Sequence, residues 1–162
     1  MPAVKPDLET RLAEDHHQAI KLWLRLLTCT NLITGQIRTR LREHFQTTLP
    51  RFDLLAQLER HPEGLKMSEL SKRMMVTTGN VTGITDQLEA EGLVRREPDP
   101  QDRRAFTVKL TPLGRQVFAR MAQEHEGWVI ELFEGLSSSE KEQMYTLLGK
   151  LKTHLNGKEA RR

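Results

Sequence analysis

Apolar residues recur at helical spacing from early in the chain. Leu8, Leu12, Ile20, Trp23, Leu24, Leu27, Ile37, Leu41 and Phe45 predict one long helix over 8–46. Asp7 stands where a cap belongs, directly after Pro6. The polar stretch 28–36 weakens the middle of this helix, Gly35 is a point at which it can bend, and Pro50 ends the region. A short helix is predicted over 51–61, with Phe52, Leu54, Leu55 and Leu58 apolar, until HPEGL breaks it through Pro62 and Gly64. Ser68 suits the N-cap of a helix over 69–75. Thr77 or Thr78 suits that of a helix over 79–91, whose inward face is Val81, Ile84 and Leu88. Gly92 follows as the residue that ends it.

After Gly92 the period changes from helical to two. LVRRE (93–97) and AFTVKL (105–110) predict two strands joined by a turn rich in Pro and Asp, a hairpin. Thr111 and Pro112 open another helix as N-cap and first residue. It runs to about Phe133, with Leu113, Val117, Phe118, Met121, Trp128 and Leu132 inward, and Gly135 stops it. SSSE (137–140) caps a last helix over about 139–155, in which Met144, Leu147, Leu148, Leu151 and Leu155 are apolar. The tail GKEARR is expected to fray.

The pattern predicts a fold that is mainly α with a small β-wing. It divides into an N-terminal helix (1–50), a winged helix-turn-helix (51–111) and C-terminal helices (112–162). The helices at both ends carry apolar stripes wider than one short domain can cover, which predicts a homodimer.

Composition narrows the class. The chain has 162 residues and a formal net charge of +3, too mild to imply nucleic acid by itself. Between Arg51 and Leu110 acidic residues match basic ones in number, so any DNA-binding face must come from arrangement in space. The single cysteine, Cys29, excludes a disulfide framework within one chain and suits a reducing cytosol. No apolar run reaches the roughly 18 residues that span a bilayer, and MPAVKPDLET lacks the apolar core of a signal peptide. A soluble, cytoplasmic protein with no membrane partner is expected. No P-loop, dinucleotide glycine motif or Ser-His-Asp order is present, so no enzyme and no cofactor are expected. His16 and His17, with Glu14, Asp15 or His44, are a weak zinc set, since adjacent helical residues diverge by about 100°; no metal is expected.

In a helix-turn-helix the second helix enters the major groove, which is just wide enough for it. Here that is the helix opening at Thr78. Its outward N-terminal face is Thr78, Gly79, Asn80, Thr82 and Gly83, with Thr77 at the cap. Small residues let the backbone approach base edges, Asn can pair with adenine, and the helix N-terminus attracts phosphate.

From DLLAQLERHPEG through VTGITDQLEAEGLVRR to DPQDRRAFTVKLTPLG, the chain resembles the MarR family of bacterial transcriptional regulators. The most specific parts are VTGITDQLEAEGLVRR, which resembles the family's recognition helix running into the wing, and the wing signature in DPQDRRAFTVKLTPLG: an Asp, one residue, an Arg, then a strand ending in Leu-Thr with a Gly three residues beyond. The resemblance extends over roughly 8–155 and implies a winged helix-turn-helix homodimer on a pseudo-palindromic operator, usually a repressor released by a small ligand. It assigns Asp102 and Arg104 to the wing pair, the Arg entering the minor groove while the carboxylate holds its guanidinium, with Arg103 against phosphate or the groove wall. Arginine favours narrow, electronegative minor grooves, which supports the same assignment. Lys66, Ser68, Lys72, Arg73, Arg95 and Arg96 are secondary phosphate contacts, which position without reading sequence.

The ligand is less legible. The family's pocket generally lies between the first helices and the dimer helices; Trp23, Leu27, Cys29, Asn31, Ile33, Phe52 and Leu55 are the residues expected to line it. Arg38 and Arg42 share a helix face at i, i+4, where their like charges repel unless an anion sits there. Residues 26–60 look similar to a subgroup that controls aromatic-acid catabolism and responds to hydroxycinnamoyl-CoA thioesters, whose phosphates would suit these arginines. A free aromatic carboxylate, a redox sensor through Cys29, and a winged-helix module that binds protein instead of DNA are the alternatives.

Overall fold

The computed structural model describes residues 14–159. The predicted Asp7 cap and the first turns of the N-terminal helix lie outside them, as do the last three residues of the tail. The chain forms two compact units, one ending at Arg115 and the other beginning at Gln116. Among the described residues no helix is long and apolar enough to cross a membrane.

The first unit begins with α1 (Glu14–Phe45), which passes through Gly35 unbroken. Gln46, in the left-handed region at φ 52°, ends it, so Pro50 is not the terminator. Pro50 instead sits in the first turn of α2 (Leu49–Glu59), where a missing N–H costs nothing. Thr48 caps α2, its hydroxyl accepting from the Arg51 N–H at 3.4 Å. Along α2 Leu54, Leu55 and Leu58 are almost fully buried, as is Leu41 of α1. Arg51 pairs with Glu91, tying α2 to a point forty residues further along the chain.

HPEGL does more than break a helix. Gly64, at φ +88°, turns the chain into a two-residue strand, β1 (Leu65–Lys66), that the alternation pattern did not predict. A side chain there would meet the Val108 carbonyl at 2.8 Å. Then α3 (Met67–Met74) starts two residues earlier than expected. Its cap is Lys66, whose backbone N–H donates to Glu69 Oε2 at 3.1 Å, so Ser68 lies inside the helix instead of capping it.

Thr77 caps α4 (Thr78–Ala90), accepting from the Asn80 N–H at 3.3 Å. Val81 and Leu88 face the core as expected, but the third fully buried position is Thr85; Ile84 is only half-buried. A threonine is tolerated there because its hydroxyl donates to the Val81 carbonyl at 2.7 Å. Gly92, at φ +76°, ends the helix, and the Leu93 N–H returns to the Leu88 carbonyl at 2.9 Å. The hairpin follows as β2 (Val94–Pro98) and β3 (Phe106–Leu110), paired antiparallel from Val94↔Leu110 to Pro98↔Phe106. With β1 on the far side of β3, the sheet order is β1-β3-β2. The architecture is mainly helical with a small antiparallel wing.

Thr111 and Pro112 open α5 (Pro112–Leu132). The Thr111 hydroxyl donates to the Gly92 carbonyl at 2.6 Å and accepts from the Gly114 N–H at 2.9 Å, so it fastens the helix start to the wing root. Leu113, expected inward, is 50% exposed, whereas Phe118, Met121 and Trp128 are buried. In the second unit α6 (Ser138–Glu159) is capped reciprocally: the Ser137 N–H donates to Glu140 at 2.7 Å and the Glu140 N–H to the Ser137 hydroxyl at 3.2 Å. No residue of α6 is buried; its apolar stripe lies open.

Candidate nucleic-acid interface

The N-terminal end of α4 presents Thr77, Thr78, Gly79, Asn80, Thr82 and Gly83, all exposed. Thr77 spends its side chain on the cap, and Thr82 donates to the Thr78 carbonyl at 2.9 Å, which leaves its lone pairs open. A Cβ added to Gly79 or Gly83 would meet nothing within 4 Å. Neither glycine is required by packing, and each lowers helix stability by about 1 kcal/mol relative to alanine. Ser68, Lys72 and Arg73 of α3 are exposed as well.

The wing tip projects Asp102, Arg103 and Arg104, all exposed. The turn is built by two carboxylates acting on backbone. Asp99, buried at 8% exposure, accepts from the N–H groups of Gln101 at 2.8 Å and Asp102 at 3.3 Å, and pairs with Lys66 Nζ at 3.4 Å. The Gln101 N–H, with help from Lys66, outweighs desolvation and holds the Asp99 carboxyl below its usual range. Asp102 in turn accepts from the Arg104 N–H at 3.0 Å. Among the described residues no ion pair joins Asp102 to the Arg104 guanidinium, contrary to the expected wing pair. The carboxylate shapes the loop, and the two arginine side chains are left outward.

Three further cations expected as phosphate contacts are engaged elsewhere. Lys66 holds Asp99. Arg95 pairs with Glu97 at 2.9 Å, which also accepts from Lys109 at 2.9 Å across the strands; Lys109 first, then Arg95, lowers the Glu97 proton affinity. Arg95 nevertheless keeps a 55% exposed side chain. Arg96 is turned inward, its guanidinium bound by Asp86 and by Glu89 at 2.8 Å and only 20% exposed. Asp99, Asp86 and Glu89 were not singled out by sequence. The α4–β2 turn brings Asp86 and Glu89 to Arg96, and the sheet brings Lys66 of β1 to Asp99, whose other partners are its neighbours Gln101 and Asp102.

Among the described residues, the expected ligand residues are divided among the core, the open face of α1 and a separate cavity. Phe52 and Leu55 are core residues, while Trp23, Leu27, Cys29 and Asn31 are exposed along α1, with Ile33 half-buried. Cys29 borders an open trough with Lys21, Leu22 and Leu24. Arg38 and Arg42 line a separate cavity of about 380 Å³ together with Gln46, Thr47, Thr48, Leu49 and Pro50. The two arginines thus share that space with the first turn of α2, where the positive end of the helix dipole favours an anion.

Residues 47–106 match the MarR family. An uncharacterized HTH-type transcriptional regulator of Bacillus cereus is 30% identical over 139 residues, 85% of this chain and 91% of that protein. The crystal structure of a MarR family transcriptional regulator from Silicibacter pomeroyi is similar with a TM-score of 0.72 at 30% identity, covering 88% of this chain and 99% of that one. The same fold recurs in a mutant MarR from E. coli complexed with operator DNA, with a TM-score of 0.73 at 24% identity over 86% of this chain and 99% of that one.

Proposed function

The chain belongs to the MarR family of DNA-binding transcriptional regulators, and on that basis we propose that it is a repressor that binds a pseudo-palindromic operator as a homodimer and releases it on binding a small aromatic effector. The observation that carries the DNA reading is the pairing of two exposed elements on one unit. One is the glycine-bearing start of α4, and the other is the outward Arg103 and Arg104 of the wing. Unrequired glycines make sense where a backbone must approach another surface, and outward arginines on a rigid turn suit a narrow groove.

The homodimer is supported by what a single chain leaves open. Ile20, Trp23 and Leu24 of α1 are 46–59% exposed, and Leu147 and Leu155 of α6 are 66% and 52% exposed. An open apolar stripe of this kind marks an association face. An operator of two half-sites then mirrors the two-fold of the protein.

For the effector, the Arg38–Arg42 cavity supports a ligand with an anionic part. An acyl-CoA of hydroxycinnamoyl type is favoured, since its phosphates can engage both guanidinium groups. A free aromatic carboxylate is the second reading, favoured by the modest volume of the cavity.

A gel-shift titration with the promoter duplex next to the protein's own gene tests the DNA reading. Wild type should shift it, steeply weakened by salt, and Arg104→Ala should bind more weakly with a salt slope reduced by about one. No shift at low salt would sink the reading. For the effector, aromatic acids and their CoA thioesters are screened by thermal shift. A true effector both stabilises the free protein and dissociates the DNA complex, because a ligand moves an equilibrium only through unequal affinity for two states.

A further inference from the structure

Arg96, on β2, reaches back to the recognition helix. Its guanidinium donates to Asp86 and, at 2.8 Å, to Glu89 Oε1, while its own backbone N–H donates to Glu89 Oε2 at 2.9 Å. Glu89 therefore grips the residue at two points, and Asp86 at a third. The arginine side chain is 20% exposed, against 61% and 40% for the acids. Burial disfavours the guanidinium charge, but the two carboxylates together more than restore it. Charge-assisted contacts of a planar guanidinium fix orientation as well as distance.

The location gives this contact a consequence. α4 and the wing are the two parts that must enter different grooves of one duplex. They are joined in sequence by the short turn at Gly92, and Arg96 adds a lateral tie from the second half of α4 to β2. We infer that Arg96, with Asp86 and Glu89, is a positioning clamp that sets the angle of the wing against α4 and so raises DNA affinity without itself touching DNA. The inference rests on the DNA reading above.

A purely electrostatic view predicts the opposite sign. Asp86 and Glu89 are two negative charges on the helix that meets a polyanion, so removing them should tighten binding. Under the clamp, removing them weakens it.

The experiment is a binding titration of the full chain with the promoter duplex next to its own gene, over a range of salt, for wild type, Arg96→Met, the double variant Asp86→Asn/Glu89→Gln, and all three changes combined. The double variant is expected to lose about tenfold in affinity, the order of one charge-assisted hydrogen bond, although its net charge has moved in the DNA's favour. Arg96→Met should lose a similar factor with an unchanged salt slope, and the combined variant should lose no more than either. Melting midpoints close to wild type, with the affinity loss persisting at low temperature, separate positioning from lost stability; a loss that vanishes on cooling overturns the clamp. So does tighter or unchanged binding by the double variant. A slope shallower by about one in Arg96→Met would make Arg96 a phosphate contact and also overturns it. Failure of wild type to shift the duplex sinks the DNA reading and the clamp together. Wild-type binding with indifferent variants sinks the clamp alone.

Discussion

The Asp102 carboxylate accepts its hydrogen bond from the backbone N–H of Arg104, at 3.0 Å, and so shapes the wing turn instead of gripping the guanidinium. An aspartate bonding the backbone two residues on is a local turn device that needs an acceptor oxygen but no charge. Asparagine supplies that oxygen. Asp102→Asn should therefore keep the Arg104 amide protected in hydrogen exchange and bind operator close to wild type. Asp102→Ala should lose the protection and about 1 kcal/mol of binding. Equal losses in the two variants would show that the charge matters and restore the guanidinium role.

Gly114 is required for a different reason. A Cβ there would lie 1.8 Å from the Leu93 carbonyl oxygen, a backbone atom that cannot swing aside. The same carbonyl accepts from the Thr111 N–H at 3.1 Å, and Thr111 bonds both Gly92 and Gly114. The first turn of α5 is thus pressed against the wing root. Gly114→Ala should cost about 3 kcal/mol or more in urea unfolding, in the range of a severe overpacking. A loss below about 1 kcal/mol would mean that the helix start can shift freely.

Much of this was legible along the chain because local chemistry marks it. The switch of period after Gly92, the Thr111-Pro112 start of α5 and the Ser137–Glu140 cap each depend on neighbours within four residues. What escaped depends on distance in sequence or on groups that hide their polarity. β1 is too short to show alternation and exists because Leu65 registers with Val108. Thr85 is polar by type but buries its hydroxyl on its own helix. Arg96 has the composition of a phosphate contact, and nothing nearby in sequence reveals that Asp86 and Glu89 claim it. Trp23 and Cys29 stand exposed on α1 among the described residues, so no local pattern along that helix marks a pocket around them.

Asp99 makes the wing sensitive to acid. Its folded proton affinity is lowered, first by the Gln101 N–H and then by Lys66. A depressed carboxyl contributes stability above its unfolded pKa of about 4. That contribution is lost as pH falls through the lower folded value. Asp99→Asn removes it at every pH. The melting midpoint of wild type should exceed that of Asp99→Asn at pH 6, and the gap should close below about pH 4. A gap constant down to pH 2 would show that the ionised carboxylate is not what holds the turn.

The open stripe of α6 allows a separation of folding from assembly. Leu147 is 66% exposed in the single chain, so a charged residue there costs a monomer almost nothing, whereas in an apolar interface it is left without a partner. Leu147→Glu should keep the far-UV helical signal, lower the sedimentation mass from dimer toward monomer and weaken operator binding, since one half-site is then held at a time. Unchanged mass would exclude this face of α6 from the dimer contact.

Met75 sits at the turn between α3 and α4 with φ 56° and ψ 38°, and its side chain is 91% exposed. The turn is held by other groups: the Ser71 hydroxyl donates to the Val76 carbonyl at 2.6 Å, and the Met75 and Val76 N–H groups return to Lys72 and Ser71 at 3.3 and 3.2 Å. The side chain therefore brings backbone strain of about 1–2 kcal/mol with no packing to offset it. Glycine removes that strain but adds about 0.5–1 kcal/mol of unfolded-state entropy. Met75→Gly should be more stable than wild type by up to about 1 kcal/mol, and Met75→Ala, which keeps the Cβ, should be close to neutral. If the glycine variant melts below wild type while alanine does not, the left-handed strain is smaller than the geometry implies.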